Sequence, residues 1–219
     1  MVTSQQIKQF TDYCEQHLDF TIADPPGYMS APICALDSVF SIGICYRNVV
    51  RIVNRFCEFL REDSMNTVIT TSEVIKRIED ISNTDLAEQY LSHHRTSTTN
   101  GILKTEAFRS FLLVMQSNGI EDINDIHIKA GNATFEKAIK NIPGQKSGLS
   151  LDYFYILSHM DNYVKDDRHI RWFVDQAIHG NSFKRVDRIE LIRETAKTMN
   201  LNLHSGMTPR HLDHIIWNY

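Results

Sequence analysis

The chain has 219 residues, of which 42% are hydrophobic, 23% charged and 10% aromatic, with a formal net charge of −4. This composition is typical of a globular protein and excludes collagen-like, mucin-like and mainly disordered chains. No run of about 18 apolar residues occurs, so no transmembrane helix is predicted. The polar start of the chain lacks the apolar core of a secretory signal, which predicts a cytoplasmic location.

The chain is predicted to be helical nearly throughout, because only nine glycines interrupt it and no alternating strand pattern appears. Residues 1–24 read as one amphipathic helix, and the Asp-Pro-Pro-Gly sequence that follows is a turn. The apolar stretch 31–60 predicts two helices with a break near 43–46, at least one of them buried. A polar loop is predicted at 93–100 and a tight turn at 141–149.

The remaining predicted helices are amphipathic, and several begin at residues typical of helix N-caps. A short helix is predicted after 70–72, a second one is capped by 83–85, and one or two lie within 124–140. Longer helices are predicted at 103–115, 149–160, 167–178 and 185–199, and a last one starts at Thr208-Pro209.

The cysteines and histidines predict no metal site. The four cysteines match no zinc or iron–sulfur spacing and are predicted to be reduced thiols. The histidine pairs at 93–94 and at 211 and 214 lack a matching third ligand.

The most informative segment is 141–174. A short helix leads into Pro143-Gly144, a turn closes at Gly148, and an apolar helix follows. The free N–H groups at the start of that helix, with Lys146 beside them, favour a phosphate-binding site. Further along, the acidic pair 166–167 precedes another helix.

This arrangement resembles the helix-hairpin-helix (HhH-GPD) DNA glycosylase superfamily, in which an L-P-G-x-G hairpin is followed by an aspartate in V-D-x-H-x-x-R. Residues 142–144 match the hairpin entry and residues 167–171 match the aspartate segment. The second hairpin glycine is displaced, because three residues precede Gly148. Similarity to a bacterial subgroup extends over roughly 30–217, through 35–42, 95–97, 101–104 and 208–217.

The resemblance implies an all-α, two-lobed fold with the active cleft between the lobes. One lobe would be internal, at 31–140. The other would combine 1–30 with 141–219 and carry the helix-hairpin-helix at about 133–160. Such an enzyme binds double-stranded DNA and flips an altered base into a pocket.

The resemblance also implies a monofunctional DNA N-glycosylase that needs no cofactor. A carboxylate near C1′ would stabilise the developing positive charge and orient a water molecule. Asp167 is the candidate and Asp166 the alternative; both could instead only cap the next helix. No lysine follows Gly148, so strong lyase activity is not expected. No cysteine follows Cys57, so the iron–sulfur cluster of many relatives is absent.

Further candidate residues have both a functional and a structural interpretation. Aromatic residues could line the base pocket or belong to the core, the arginines could bind phosphates or form surface ion pairs, and His169 could orient Asp167. The DNA-binding candidates are Pro143, Gly144, Gln145, Lys146, Ser147, Gly148, Arg95, Arg168 and Arg171, and the pocket candidates are Tyr46, Tyr153 and Trp172.

Two other functions compete with the enzyme. A non-catalytic helix-hairpin-helix module that binds the DNA backbone is favoured by the altered hairpin and the negative net charge. The other alternative is a helical scaffold that binds a small molecule or a protein partner. Salt-dependent binding of duplex DNA would argue against such a scaffold.

Overall fold

The computed structural model describes residues 2–62, 66, 68–178 and 183–219. Within these ranges the chain is all-helical, as predicted, and contains no strand, although Arg95 and Leu103 form a β-bridge. None of the described helices is long and apolar enough to cross a membrane. The helices are α1 (Ser4–His17), α2 (Ala31–Phe40), α3 (Tyr46–Leu60), α4 (Thr71–Ile78), α5 (Asn83–Gln89), α6 (Lys104–Ser117), α7 (Ile123–Lys129), α8 (Ala133–Lys140), α9 (Leu149–Leu157), α10 (Arg168–Ala177), α11 (Arg185–Asn202) and α12 (Pro209–Trp217).

The chain divides into two compact units. The terminal unit comprises Met1–Pro26 and Met160–Tyr219, and the internal unit comprises Gly27–His159. This division differs from the expected one, because the hairpin and α9 lie with the internal helices. α9 packs against α2, and the Phe154 ring contacts that of Phe111 with centroids 5.1 Å apart.

The internal unit is built around α2, whose ten residues are all buried. Because every side of this helix is enclosed, its residues are apolar except for Asp37 and Ser38, and the sequence shows no separate polar face. The predicted break in the apolar stretch is confirmed, since α2 ends at Phe40 and α3 begins at Tyr46. α3 buries one face, where Phe56 meets Phe108 edge-to-face at 5.6 Å.

The terminal unit packs α1, α10, α11 and α12 around a separate core, in which Phe10 and Phe173 meet edge-to-face at 5.8 Å. The start of α12 is as predicted, because the Thr208 hydroxyl accepts a hydrogen bond from the amide of His211. α1 is shorter than predicted and ends at His17; beyond it, Phe20 stacks on His204 at 4.0 Å.

All four cysteines are reduced thiols outside any disulfide, as predicted. Cys14, Cys34 and Cys57 are buried, and Cys45 is exposed. Burial raises the pKa of the Cys14 thiol, so this group remains protonated and unreactive near neutral pH.

A buried lysine joins two helices of the internal unit. Lys104, the first residue of α6, is 3% exposed. Its Nζ donates hydrogen bonds to the carbonyl oxygens of Val39 and Phe40, each at 3.0 Å, and to that of Ile42. The carbonyls of Val39 and Phe40 belong to the last turn of α2 and that of Ile42 lies just beyond it, where the helix dipole favours a cation.

Replacing this lysine should destabilise the internal unit. Lys104→Met keeps much of the volume but leaves the carbonyls without their donor, and we expect a loss of roughly 2–4 kcal/mol in the free energy of unfolding. Lys76→Met, at an exposed position of α4, should change it by less than about 0.5 kcal/mol. Urea denaturation of both variants measures the difference, and equal effects would contradict this role.

Candidate functional site

A tight hairpin connects α8 to α9. The amide of Gln145 donates to the carbonyl of Ile142 at 2.9 Å, and the amide of Gly148 donates to that of Gln145 at 3.0 Å. Gly144 and Gly148 have φ values of 86° and 76°, which favour glycine. Ile142 and Gln145 are buried, and the side that carries Pro143, Gly144, Lys146 and Ser147 is exposed. The predicted hairpin is therefore present and presents its outer edge to solvent.

Polar groups collect where α9 begins. Gly148 is the N-cap residue and supplies no side-chain cap, while the amide of Leu149 donates to Ser147 Oγ at 3.3 Å. Gln145 Oε1 and Ser150 Oγ are buried and have no hydrogen-bond partner in the part of the chain that the structure describes. The hairpin thus combines an exposed backbone with buried polar side chains directly behind it.

The loop before α6 lies against this hairpin. The amide of Thr96 donates to the carbonyl of Ile102 at 2.9 Å, and Arg95 Nη1 donates to the carbonyl of Gly101 at 2.7 Å. A Cβ atom on Gly144 would lie only 2.4 Å from Thr96 Cβ. The internal unit therefore brings the segment containing Arg95 next to the predicted hairpin residues.

This contact makes Gly144 intolerant of a side chain. Gly144→Ala adds a clash with Thr96 to the strain of the left-handed backbone, whereas Gly131→Ala has a similar φ of 78° and open space around it. We expect Gly144→Ala to cost about 1–3 kcal/mol more than Gly131→Ala. Adding Thr96→Gly should recover most of the difference. Urea denaturation in a double-mutant cycle tests this, and a cycle without coupling would contradict the contact.

The acidic pair before α10 consists of two carboxylates in different surroundings. Asp166 is fully buried, and its two oxygens accept hydrogen bonds from Arg188 Nε at 2.6 Å and Arg188 Nη2 at 2.7 Å. Arg171 Nε lies 3.6 Å from Asp166 Oδ2. The hydrogen bond to Asp166 raises the pKa of Arg188. Asp166 is thus held in an internal ion pair.

Asp167 is the N-cap of α10. Its Oδ1 accepts hydrogen bonds from the amides of His169 at 2.8 Å and Ile170 at 3.3 Å. The residue is only half-buried, and no described residue donates to its Oδ2. The helix therefore fixes this carboxylate through Oδ1.

The neighbouring predicted residues lie at the surface of the terminal unit. Arg168 is exposed, whereas Arg171 is half-exposed and belongs to the ion pair with Asp166, as the structural interpretation anticipated. The His169 ring lies 6.0 Å from the Trp217 ring. Trp172 is 51% exposed and stacks on Tyr219 at 5.9 Å.

The other two predicted pocket residues, Tyr46 and Tyr153, come together in the internal unit. Burial and then the negative charge of the buried Asp37 carboxylate raise the pKa of both hydroxyl groups, to about 12 for Tyr46, so both side chains lie near Asp37. Asp37 and its partner Tyr28 were missed by sequence reasoning. The available signal was that Asp37 is the one charged residue among the ten of α2.

The structure thus groups the hairpin, the Arg95 segment, Tyr46 and Tyr153 in the internal unit, and Asp166, Asp167, Arg168, Arg171 and Trp172 in the terminal unit.

Comparison with known proteins gives one assignment. Residues 8–219 match a family model described as a domain of unknown function, DUF8548. No curated protein and no solved structure matches the chain. Because the match covers nearly the whole sequence, the chain belongs to the DUF8548 family.

Proposed function

We propose that the chain is a monofunctional DNA N-glycosylase with a two-lobed HhH-GPD fold. The observation that carries the proposal is the state of Asp167, a half-buried carboxylate fixed at the start of α10 through Oδ1. It lies in the segment that resembles the aspartate motif of the glycosylase superfamily. The neighbouring Asp166 is fully buried and bound by Arg188, which favours Asp167 over Asp166 as the acting group.

The proposed reaction is hydrolysis of an N-glycosidic bond. The C1′–N bond breaks, its electron pair leaves with the base, and positive charge develops on the sugar. The Asp167 carboxylate stabilises that charge and accepts a hydrogen bond from the attacking water. The water oxygen bonds to C1′, one water proton is lost and the base nitrogen gains a proton.

The hairpin supports binding of double-stranded DNA. Its exposed edge carries Lys146 and the backbone of Gly144, and Arg95 lies in the adjacent loop. Backbone N–H groups and lysine side chains are common phosphate ligands. The residue after Gly148 is Leu149, which cannot form a Schiff base, and this supports hydrolysis without strand cleavage.

A non-catalytic DNA-binding module is the second candidate. Two amides of α10 already use Asp167 as a helix cap, which gives this residue a complete structural role without any chemistry. The hairpin alone would then bind the DNA backbone.

One experiment separates the candidates. The purified chain is incubated with alkylated, deaminated and oxidised DNA, and free bases are identified by mass spectrometry. Duplex binding is followed in parallel by fluorescence anisotropy at low and high salt. Released bases with intact strands support the glycosylase. Salt-dependent binding without release supports the binding module, and the absence of both contradicts the two proposals.

A further inference from the structure

The exposed face of α3 carries a row of arginines. Arg47, Arg51 and Arg55 follow one another at four-residue intervals, and all three are exposed. Residues four positions apart lie on the same side of a helix, about 6 Å from each other along its axis. The opposite face of α3, which includes Phe56, is buried in the internal unit. The three arginines therefore form one continuous surface feature, the arginine ridge.

The charges of the arginine ridge are not balanced within the protein. Arg47 and Arg51 form no ion pair or side-chain hydrogen bond with any residue that the structure describes. Arg55 Nε donates a hydrogen bond to the carbonyl oxygen of Tyr90 at 3.1 Å, which is an uncharged partner. Glu58 is the one acidic residue among the fifteen of α3. This face therefore keeps an excess of positive charge, although the whole chain has a net charge of −4.

Helix stability alone does not favour this arrangement. Like charges at four-residue spacing repel each other, whereas Lys8 and Asp12 on α1 pair opposite charges at the same spacing. Arg47 also lies in the first turn of α3, which contains no acidic residue, and the N-cap Cys45 accepts no side-chain hydrogen bond there. A cation at this end of a helix opposes the helix dipole. A bound polyanion would relieve both effects.

The chemistry of this face suits nucleic-acid phosphates. A guanidinium group presents its donors in a planar fork that fits two phosphate oxygens at once. A DNA duplex carries one negative charge per about 1.7 Å of its axis, so a straight row of cations meets phosphates along its whole length. Asn48 and Asn54 are exposed on the same face, and asparagine side chains also contact phosphate and sugar oxygens.

We propose that the arginine ridge binds the phosphate backbone of double-stranded DNA, as a second contact surface besides the hairpin. This proposal rests on the DNA binding of the proposed function and adds a site for it, but it does not require base excision. Phosphate contacts carry no information about the bases, so the arginine ridge contributes affinity and not sequence preference. Its contribution decreases as salt concentration rises, because each phosphate contact releases bound counterions.

The test measures duplex binding, so that its readout does not depend on catalysis. The ridge variant combines Arg47→Gln with Arg51→Gln, which removes two charges and keeps residues of comparable helix propensity. Fluorescence anisotropy follows the binding of a labelled DNA duplex by the full-length chain over a range of salt concentrations. The ridge variant should bind about tenfold more weakly, and the slope of log affinity against log salt concentration should decrease in magnitude by about 2. Arg47→Lys with Arg51→Lys should retain most of the slope, because lysine keeps the charge.

The matched control combines Lys8→Gln with Lys76→Gln. Both lysines are exposed, on α1 and α4, so this variant changes the net charge by the same amount outside the arginine ridge. Its affinity for the duplex should stay within about twofold of that of the unmodified chain, with the same salt slope. Thermal unfolding checks that both variants fold. The midpoint of the ridge variant should not decrease, because Arg47 and Arg51 lose no partner within the described residues.

The outcomes separate this proposal from the one on which it rests. An unchanged affinity in the folded ridge variant, or an equal loss in the ridge variant and the control, overturns the role of the arginine ridge. Base release from DNA together with either result leaves the glycosylase in place. Ridge-dependent duplex binding by a chain that releases no base supports the arginine ridge and contradicts the glycosylase. If the unmodified chain binds polyglutamate but not duplex DNA, and the ridge variant binds neither, the arginine ridge binds an acidic peptide and the proposal is wrong.

Discussion

Asp167→Asn should reduce the single-turnover rate of base release about 1000-fold while leaving the protein folded. Asparagine is as good an N-cap as aspartate, so its side-chain oxygen can still accept the hydrogen bonds from the amides of His169 and Ile170. Only the negative charge is lost, and with it the stabilisation of the cationic sugar. Rapid-quench measurements on a duplex with one excisable base give the rate, and thermal unfolding reports stability.

Asp175→Asn is the matched control for this variant. Asp175 is an exposed carboxylate on the same helix, so the substitution changes the net charge by the same amount. Its rate should stay within about twofold of the unmodified chain. If folded Asp167→Asn released base at the same rate as Asp175→Asn, Asp167 would act only as a helix cap.

The largest loss of stability is expected from Asp166→Asn. The substitution leaves Arg188, whose side chain is only 11% exposed, without the charge that its guanidinium binds at two points. Removing one member of a buried ion pair costs about 3–5 kcal/mol, because the remaining charge stays desolvated. Urea denaturation of the full-length chain measures the change in the free energy of unfolding.

The control for this prediction is an ion pair on the surface of the protein, where both side chains are exposed to water. Lys8 and Asp12 on α1 are 3.2 Å apart, with side chains 80% and 55% exposed. Asp12→Asn should therefore cost less than about 1 kcal/mol. If Asp166→Asn cost no more than Asp12→Asn, the pair with Arg188 would not stabilise the terminal unit.

Helices were predictable wherever their signals are local. Thr208-Pro209 marks the start of α12 because both the capping hydroxyl and the fixed φ of proline act within one turn. The predicted N-cap of α5 is wrong by one residue. Ser82, and not a residue of the 83–85 segment, accepts the hydrogen bond from the amide of Asp85. Serine, asparagine and aspartate are comparable caps, so sequence alone cannot choose among neighbours.

The end of α1 illustrates a contact that local patterns do not contain. The helical periodicity continues beyond His17, but Phe20 stacks on His204, which lies at the other end of the chain. Helix propensity is a weak preference, and such packing readily overrides it.

The motifs of the candidate site could be predicted from the sequence, but the contacts between its side chains could not. Pro143-Gly144 marks the hairpin, because the chain must turn there. The distinction between Asp166 and Asp167 depends on Arg188, which lies 22 positions from Asp166 in the sequence. Tyr28, Tyr46 and Tyr153 lie near the Asp37 carboxylate although they are distant from one another in the sequence, and no sequence pattern links them to it.

The most direct test of the proposed glycosylase activity is a side-by-side measurement of free bases released from damaged duplex DNA by the unmodified chain and by Asp167→Asn. We expect the unmodified chain to release a defined base, leaving the strand intact, and the folded variant to release almost none. Release of the same base at the same rate by both proteins would contradict the role of Asp167. An unmodified chain that binds duplex DNA yet releases no base from any of the damaged substrates would contradict the glycosylase itself.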